Sequence, residues 1–299
     1  MYAWLVRPIL FCLSPERAHH LAIGLLRTLA RLPLLLGWVR RTLRPPASLR
    51  VRALGLELDS PLGLAAGLDK NAEAFEGLAG LGFGFIEVGT LTPRAQPGSE
   101  LPRLFRLPRD AALINRMGFN NCGAEAARRR LAAPKTAIVG ANIGKNRTTP
   151  NASAAEDYVA ATQLLAPHVD YLVVNVSSPN TPALRALQAT AELRPLLKAV
   201  QTALTSAVPE RRVPLLLKIA PDLANADVDE IADLVLELGL DGIIATNTTL
   251  SREGLRSPVP QVEACGAGGL SGAPLRQRSL EVLRLLHARV HDRVTLISV

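Results

Sequence analysis

Aromatic residues make up only 4% of this 299-residue chain, cysteines number three, and no GxGxxG stretch follows its first candidate strand. Each shortage removes a class of reading. With 48% hydrophobic residues dominated by Leu, Ala and Val, the core suits an α/β protein built on parallel strands. Cys12, Cys122 and Cys265 form no close pair and no metal-ligand spacing. They exclude a disulfide framework and a zinc site, point to a reducing compartment, and read as small buried or half-buried side chains. The missing glycine fingerprint argues against a dinucleotide-binding sheet, and "GANIGK", Gly140 to Lys145, is one residue short of a phosphate-binding P-loop. Candidate strand ends carry only Asp69 and Asp222 as carboxylates, too few for paired acid-base hydrolysis, and the five histidines are expected away from those ends, so no metal site is expected.

The net charge of +8 is unevenly spread. Residues 1–46 hold Arg7, Arg17, Arg27, Arg31, Arg40, Arg41 and Arg44 against Glu16 alone, which is +6 of the total. The body is close to balanced and has no basic stripe to follow a phosphate backbone, so nucleic acid is not an expected partner. The same segment carries both tryptophans, Trp4 and Trp38, among many leucines. Arginines and Pro8, Pro15 and Pro33 cut its apolar runs below the roughly 20 residues a bilayer core requires, and no signal-peptide h-region is present. A pair of short amphipathic helices is predicted, the second from about Ser14 to Arg31 with Glu16 in its first turn. Such helices suit a membrane interface, or else cap the body.

Beyond Pro45-Pro46 the composition changes. Residues 49–58 alternate as a β-hairpin with its turn near 53–55. Apolar strand, polar strand end and amphipathic helix then recur, with strands predicted at 62–66, 85–89, 137–142, 171–176, 214–219, 242–246 and 294–299, and helices including 227–238 and 274–288. The cadence alone fits an open doubly wound sheet or a closed barrel. The strand ends read "AAGLDKN", "EVGTLTP", "ANIGKN", "NVSSPNT", "KIAPD" and "TNTT". Chemistry at the end of every strand marks a barrel, so the expected fold is a (β/α)8 TIM barrel over residues 47–299, preceded by an amphipathic helical segment over 1–46. Seven strands where such a barrel has eight predict a last βα unit beyond Val299, in a longer native chain.

Lys70, Lys145 and Lys218 fall at or just beyond strand ends, in a chain whose basic residues are mostly arginine. Lysines there serve as Schiff-base nucleophiles, phosphate partners or fixed positive charges. Asn115, Asn142, Asn175, Asn180 and Asn247 offer uncharged donors and acceptors to a planar ligand with amide-like edges. Together they predict an anionic planar ligand and a phosphate-bearing cofactor, and leave flavin chemistry and a Schiff-base lyase both open.

In order and approximate spacing, "AAGLDKN", "NRMGFNN", "NVSSPNTP", "LLLKIAPD", "TNTT" and "GGLSG" resemble the dihydroorotate dehydrogenases, and the amphipathic start resembles their class 2 branch. The resemblance spans essentially the whole chain. It implies FMN at the C-terminal mouth of the barrel, oxidation of (S)-dihydroorotate to orotate in pyrimidine biosynthesis, and transfer of electrons to a membrane quinone. It further implies a peripheral enzyme on the cytoplasmic side of the inner membrane, held there through residues 1–46. Ala66, Gly67, Leu68, Asp69, Lys70, Thr90, Asn142, Asn175, Lys218, Thr246 and Gly272 match positions that contact FMN. Lys70, Asn115, Arg116, Met117, Gly118, Phe119, Asn175, Asn180, Asn247 and Thr248 match those that contact orotate. Ser178 matches the base that removes the C5 proton while hydride leaves C6 for the flavin; Thr181 is the expected proton exit, and Ser177 a plain loop residue. A soluble class 1 enzyme is the nearest alternative, but its members use cysteine as base and lack the extension. Family members continue past the position of Val299 with further phosphate-binding residues.

Overall fold

The computed structural model describes residues 2–299, with side chains described from Trp4 onward. Three α-helices open the chain, α1 (Arg7–Cys12), α2 (Pro15–Ala30) and α3 (Pro33–Thr42), one more than expected. The Ser14 side chain caps α2 by accepting from the Arg17 amide at 3.4 Å. Pro33 restarts the helix after Leu32, because a first-turn proline has no amide to leave unpaired. The hairpin follows as β1 (Val51–Ala53) and β2 (Leu56–Leu58), its turn made by Leu54 and Gly55 at φ 57° and 72°.

The body runs β3 (Gly63–Leu64), α4 (Phe75–Ala79), β4 (Phe85–Leu91), β5 (Leu104–Leu107), β6 (Ala112–Asn115), α5 (Ala124–Leu131), β7 (Val139–Ile143), α6 (Ala154–Leu165) and β8 (Tyr171–Asn175). It continues with α7 (Thr190–Ala207), β9 (Leu215–Ile219), α8 (Asn225–Leu238), β10 (Gly242–Ala245), α9 (Val259–Ala264), β11 (Gly269–Gly272), α10 (Arg276–Val290) and β12 (Thr295–Ser298). All seven strands expected from the sequence join one curled parallel sheet in the order β3-β4-β7-β8-β9-β10-β12.

Side chains alternate between two cores, as the two-residue strand period requires. Leu172 and Val174 pack outward under the helices, whereas Tyr171, Val173, Leu216 and Ile244 fill the inside of the curl. A Cβ on Gly140 would lie 2.0 Å from the Tyr171 ring, so glycine there makes room for the tyrosine.

The three-stranded antiparallel sheet β5-β6-β11 was not foreseen. Its third strand is only four residues long, holds two glycines, and pairs with β6 from far along the chain. Its core is Leu107, Ile114 and Leu270 with Phe105. This sheet also docks the N-terminal helices. Arg103 Nη2 and Nε donate to Glu16 Oε1 at 2.7 and 3.0 Å, and Arg106 Nη1 donates to the Leu13 carbonyl at 2.8 Å. The opposite face of the helices leaves Trp4, Ile9, Leu25, Leu34 and Trp38 exposed. Among the described residues no single helix is long and apolar enough to cross a membrane; α2 and α3 meet at a 104° bend. Cys12 and Cys122 are exposed, contrary to expectation, and Cys265 is buried.

Candidate active site

The C-terminal ends of the parallel strands, capped by the antiparallel sheet, enclose a cavity of about 740 Å³, within the range of small-ligand pockets. Most expected site residues line it: Ala66, Gly67, Leu68 and Lys70 after β3, Thr90 in β4, Asn115 at the end of β6 with Met117, Gly118 and Phe119 after it, and Asn175 at the end of β8 with Ser178 and Asn180 after it. Lys218 in β9, Thr246, Asn247 and Thr248 after β10, and Gly272 in β11 complete it. Gly67 has φ 111° and open space where a Cβ would stand, so the backbone itself is presented to whatever fills the cavity.

Beneath this wall lies a continuous chain of buried polar groups. Asn142 Nδ2 donates to Glu87 Oε1 at 2.8 Å, Thr90 Oγ1 donates to Asn142 Oδ1 at 2.5 Å, and Asn175 Nδ2 reaches both Thr90 Oγ1 and Asn142 Oδ1 at 3.0 Å. Ser177 Oγ then donates to Asn175 Oδ1 at 2.7 Å and accepts from Asn247 Nδ2 at 2.9 Å. Ser177 is therefore the node that joins two cavity-lining asparagines, not a plain loop residue. Its partners are 2 and 70 positions away in sequence, and the second is invisible to local pattern reading. Glu87 was likewise missed. It is buried, its Oε1 stands 3.9 Å from Lys218 Nζ, and burial pushes its carboxyl up while the Lys218 charge pulls it back down.

Ser178 is 5% exposed, and its Oγ accepts from the Asn180 amide at 3.2 Å. Asn180 Nδ2 donates to the Asn115 carbonyl at 3.1 Å, which ties the loop after β8 to the end of β6. Three hydroxyls near this loop, Thr181, Thr246 and Thr248 Oγ1, are buried and have no partner among the described residues. Thr246 and Thr248 line the cavity, where their hydroxyls are available to a ligand with polar edges.

At the side facing α2 the cavity is lined by His19 together with Leu104 and Leu113. The expectation that the histidines lie away from the strand ends fails for His19, because α2 docks against the mouth through tertiary contacts alone. Burial, then the neighbouring Lys70 charge, pull the His19 imidazole down to about 4. Burial lowers the Lys70 ammonium to about 8, and the Glu16 carboxylate works against that shift. Glu16 itself is held below the usual carboxylate range by its hydrogen bond from Arg103.

Four expected contributors stand elsewhere. Asp69 turns away from the cavity and caps the following segment, accepting from the Glu73 and Ala74 amides at 2.8 Å each. Arg116 braces the antiparallel sheet: it donates to the Cys265, Ala267 and Pro102 carbonyls and stacks 4.7 Å over the Phe105 ring. Asn142 sits one layer below the lining and acts through Thr90 and Asn175. Lys145 is buried with Nζ donating to the Thr149 carbonyl at 2.8 Å, so its charge does not face the cavity. In each case local sequence places the residue near the mouth, and tertiary partners set where its side chain points.

A family profile described as dihydroorotate dehydrogenase matches residues 48–299. The chain is 56% identical over 303 residues to "Dihydroorotate dehydrogenase (quinone)" of Streptomyces coelicolor, covering 100% of this chain and 82% of that one. It is 53% identical over 305 residues to the protein of the same name from Kineococcus radiotolerans, covering 100% and 83%. Among solved structures it is similar to DHODH from Eimeria tenella in complex with ferulenol, with a TM-score of 0.81 and 36% identity over 96% of this chain and 82% of that one. The ligand-free form from the same organism gives the same TM-score at 37% identity.

Proposed function

Since this chain belongs to the dihydroorotate dehydrogenase family, we infer that it oxidises (S)-dihydroorotate to orotate with a quinone as electron acceptor, in pyrimidine biosynthesis, using bound FMN. The observation that carries the reading is the meeting of Lys70, Lys218, Asn175 and Asn247 in one cavity around the buried Ser178. Two cationic groups and amide edges suit an anionic, amide-edged ring beside an anionic cofactor.

The residues present fit FMN. The unpartnered hydroxyl of Thr246, the open backbone at Gly67 and the Thr90–Asn142–Asn175 set offer donors and acceptors to a flavin edge. Lys218 supplies a fixed positive charge on the same wall. FMN, when bound, supplies the acceptor for the hydride from C6. Lys70 pairs with the substrate carboxylate, and Asn115, Asn180 and Asn247 hold the ring edges. The backbone and side chains of Met117, Gly118 and Phe119 close that side. Ser178 takes the C5 proton. A serine is a weak base in water, so Ser178 must pass its own hydroxyl proton on as it takes the one from C5, in a site closed to bulk water. Thr181, buried and with a free hydroxyl, is the next stop for the proton.

The quinone enters on the α2 side, where His19, its imidazole pulled down to about 4 by burial and the neighbouring Lys70 charge, lines the cavity with Leu104 and Leu113. Residues 1–46 form the membrane-association segment and 47–299 the barrel. The exposed Leu34 and Trp38, with Arg31, Arg41 and Arg44 exposed beside them, lay the helices in the lipid interface on the cytoplasmic side of the inner membrane. Anaerobic reduction of the flavin-loaded enzyme by dihydroorotate, followed by mixing with menaquinone, ubiquinone or fumarate, tests the reading. Reoxidation by a quinone supports it, and reoxidation by fumarate alone contradicts it.

A further inference from the structure

The loop that carries Ser178 is held at its far end by Arg185. This residue is the second of the short 3-10 stretch Leu184–Gln188, whose backbone is fixed by the buried Leu184 and Leu187. From that anchor the guanidinium reaches back across the loop and uses three separate donors. Nε donates to the Ser177 carbonyl at 3.0 Å, Nη2 to the Thr248 carbonyl at 2.7 Å, and Nη1 to Asp222 Oδ2 at 2.5 Å. Asp222 in turn accepts from the Leu250 amide at 3.0 Å and from the Thr249 hydroxyl. One planar group thus ties together the ends of β8, β9 and β10. The Ser177 carbonyl belongs to the peptide that leads into Ser178, and Thr248 is on the substrate wall.

We propose that Arg185, held by Asp222, is a positioning residue for proton abstraction: it fixes the Ser178 loop against the substrate-binding end of β10. The inference rests on the reading of Ser178 as the base. The two carbonyls and the carboxylate point at the guanidinium from three directions, which a planar fork of donors matches and a lysine ammonium on a flexible stem does not. Neither Arg185 nor Asp222 lines the cavity, so the effect runs through the placement of the loop. A displacement of the reacting group by about 1 Å is enough to cost roughly 100-fold in rate.

The test is stopped-flow reduction of the flavin-loaded enzyme by dihydroorotate, then reoxidation by quinone, for wild type, Arg185→Ala, Arg185→Lys, Asp222→Asn and Ser178→Ala. Arg185→Ala is expected to slow flavin reduction by roughly 10- to 100-fold while flavin content and the reoxidation rate stay at wild-type values. Added guanidinium at millimolar concentration should restore part of the loss. Arg185→Lys should remain slow, and Asp222→Asn should fall between. Unchanged reduction in Arg185→Ala overturns the proposal, as does a parallel fall in flavin content and reoxidation, or an absence of guanidinium rescue. If Arg185→Ala does not fold, Asp222→Asn and Arg185→Lys decide by the same split between the two half-reactions. Ser178→Ala separates the premise: wild-type reduction in that variant removes the base assignment, whereas a slow Ser178→Ala beside a fast Arg185→Ala removes only the clasp.

Discussion

Asn175 Nδ2 lies 3.0 Å from Asn142 Oδ1, and this contact, beside the hydrogen bond from Thr90 Oγ1, connects the cavity lining to the buried layer that ends at Glu87. Truncating Asn175 leaves the carbonyl oxygen of Asn142 and the Ser177 hydroxyl short of a partner in a dry site. Asn175→Ala is expected to destabilise the fold by about 1–3 kcal/mol and to weaken FMN retention. Thermal unfolding and the flavin-to-protein absorbance ratio check it; an unchanged ratio contradicts the role given to the network.

Lys70 sets a pH dependence. Burial lowers its ammonium to about 8 in the folded protein, and in the proposed reaction an anionic substrate pairs with the charged form alone. The KM for dihydroorotate is therefore expected to rise above about pH 8, approaching tenfold per pH unit. Glu16→Gln removes a charge that raises the Lys70 value, so it should move that rise to lower pH. For folding the sign is opposite to that of a lysine gaining an ion pair. The unfolded chain holds the proton up to the ordinary 10.5 and the native state only to about 8, so the contribution of this residue to stability increases as pH climbs through that window. A flat KM profile from pH 7 to 9.5 contradicts the pairing.

The exposed helical face makes a prediction about lipid. Leu34→Glu with Trp38→Glu removes two large apolar groups, each worth about 1.5–3 kcal/mol when fully buried, and should lower partition into phospholipid vesicles by roughly 100-fold or more. Dihydroorotate-driven flavin reduction should be unaffected. Equal sedimentation of wild type and double variant with vesicles rules out this face as the docking surface.

Much of this was legible in the sequence because parallel strands announce themselves twice, as an apolar run and as a polar end. Tyr171 to Asn175 is such a run, and Ser178 and Asn180 such an end. Asp69 and Arg116 show where that legibility stops. Both belong to motifs most of whose other members line the cavity, yet a cap on Glu73 and Ala74 and a brace between β5, β6 and the loop before β11 claim their side chains. Contacts of that kind are settled by tertiary placement. The same holds for His19, brought to the mouth because Arg103 fixes Glu16 one helical turn before it, and for β11, which pairs with β6 through only four residues.

In the proposed reaction Ser178, buried just beyond β8, removes the C5 proton of dihydroorotate. Anaerobic mixing of dihydroorotate with flavin-loaded wild type and Ser178→Ala, followed at the flavin absorbance maximum, tests it most directly. Bleaching is expected in the wild type, and at a rate lower by roughly 10²- to 10⁴-fold in Ser178→Ala, with flavin content and orotate affinity retained. Bleaching of Ser178→Ala at the wild-type rate would contradict it.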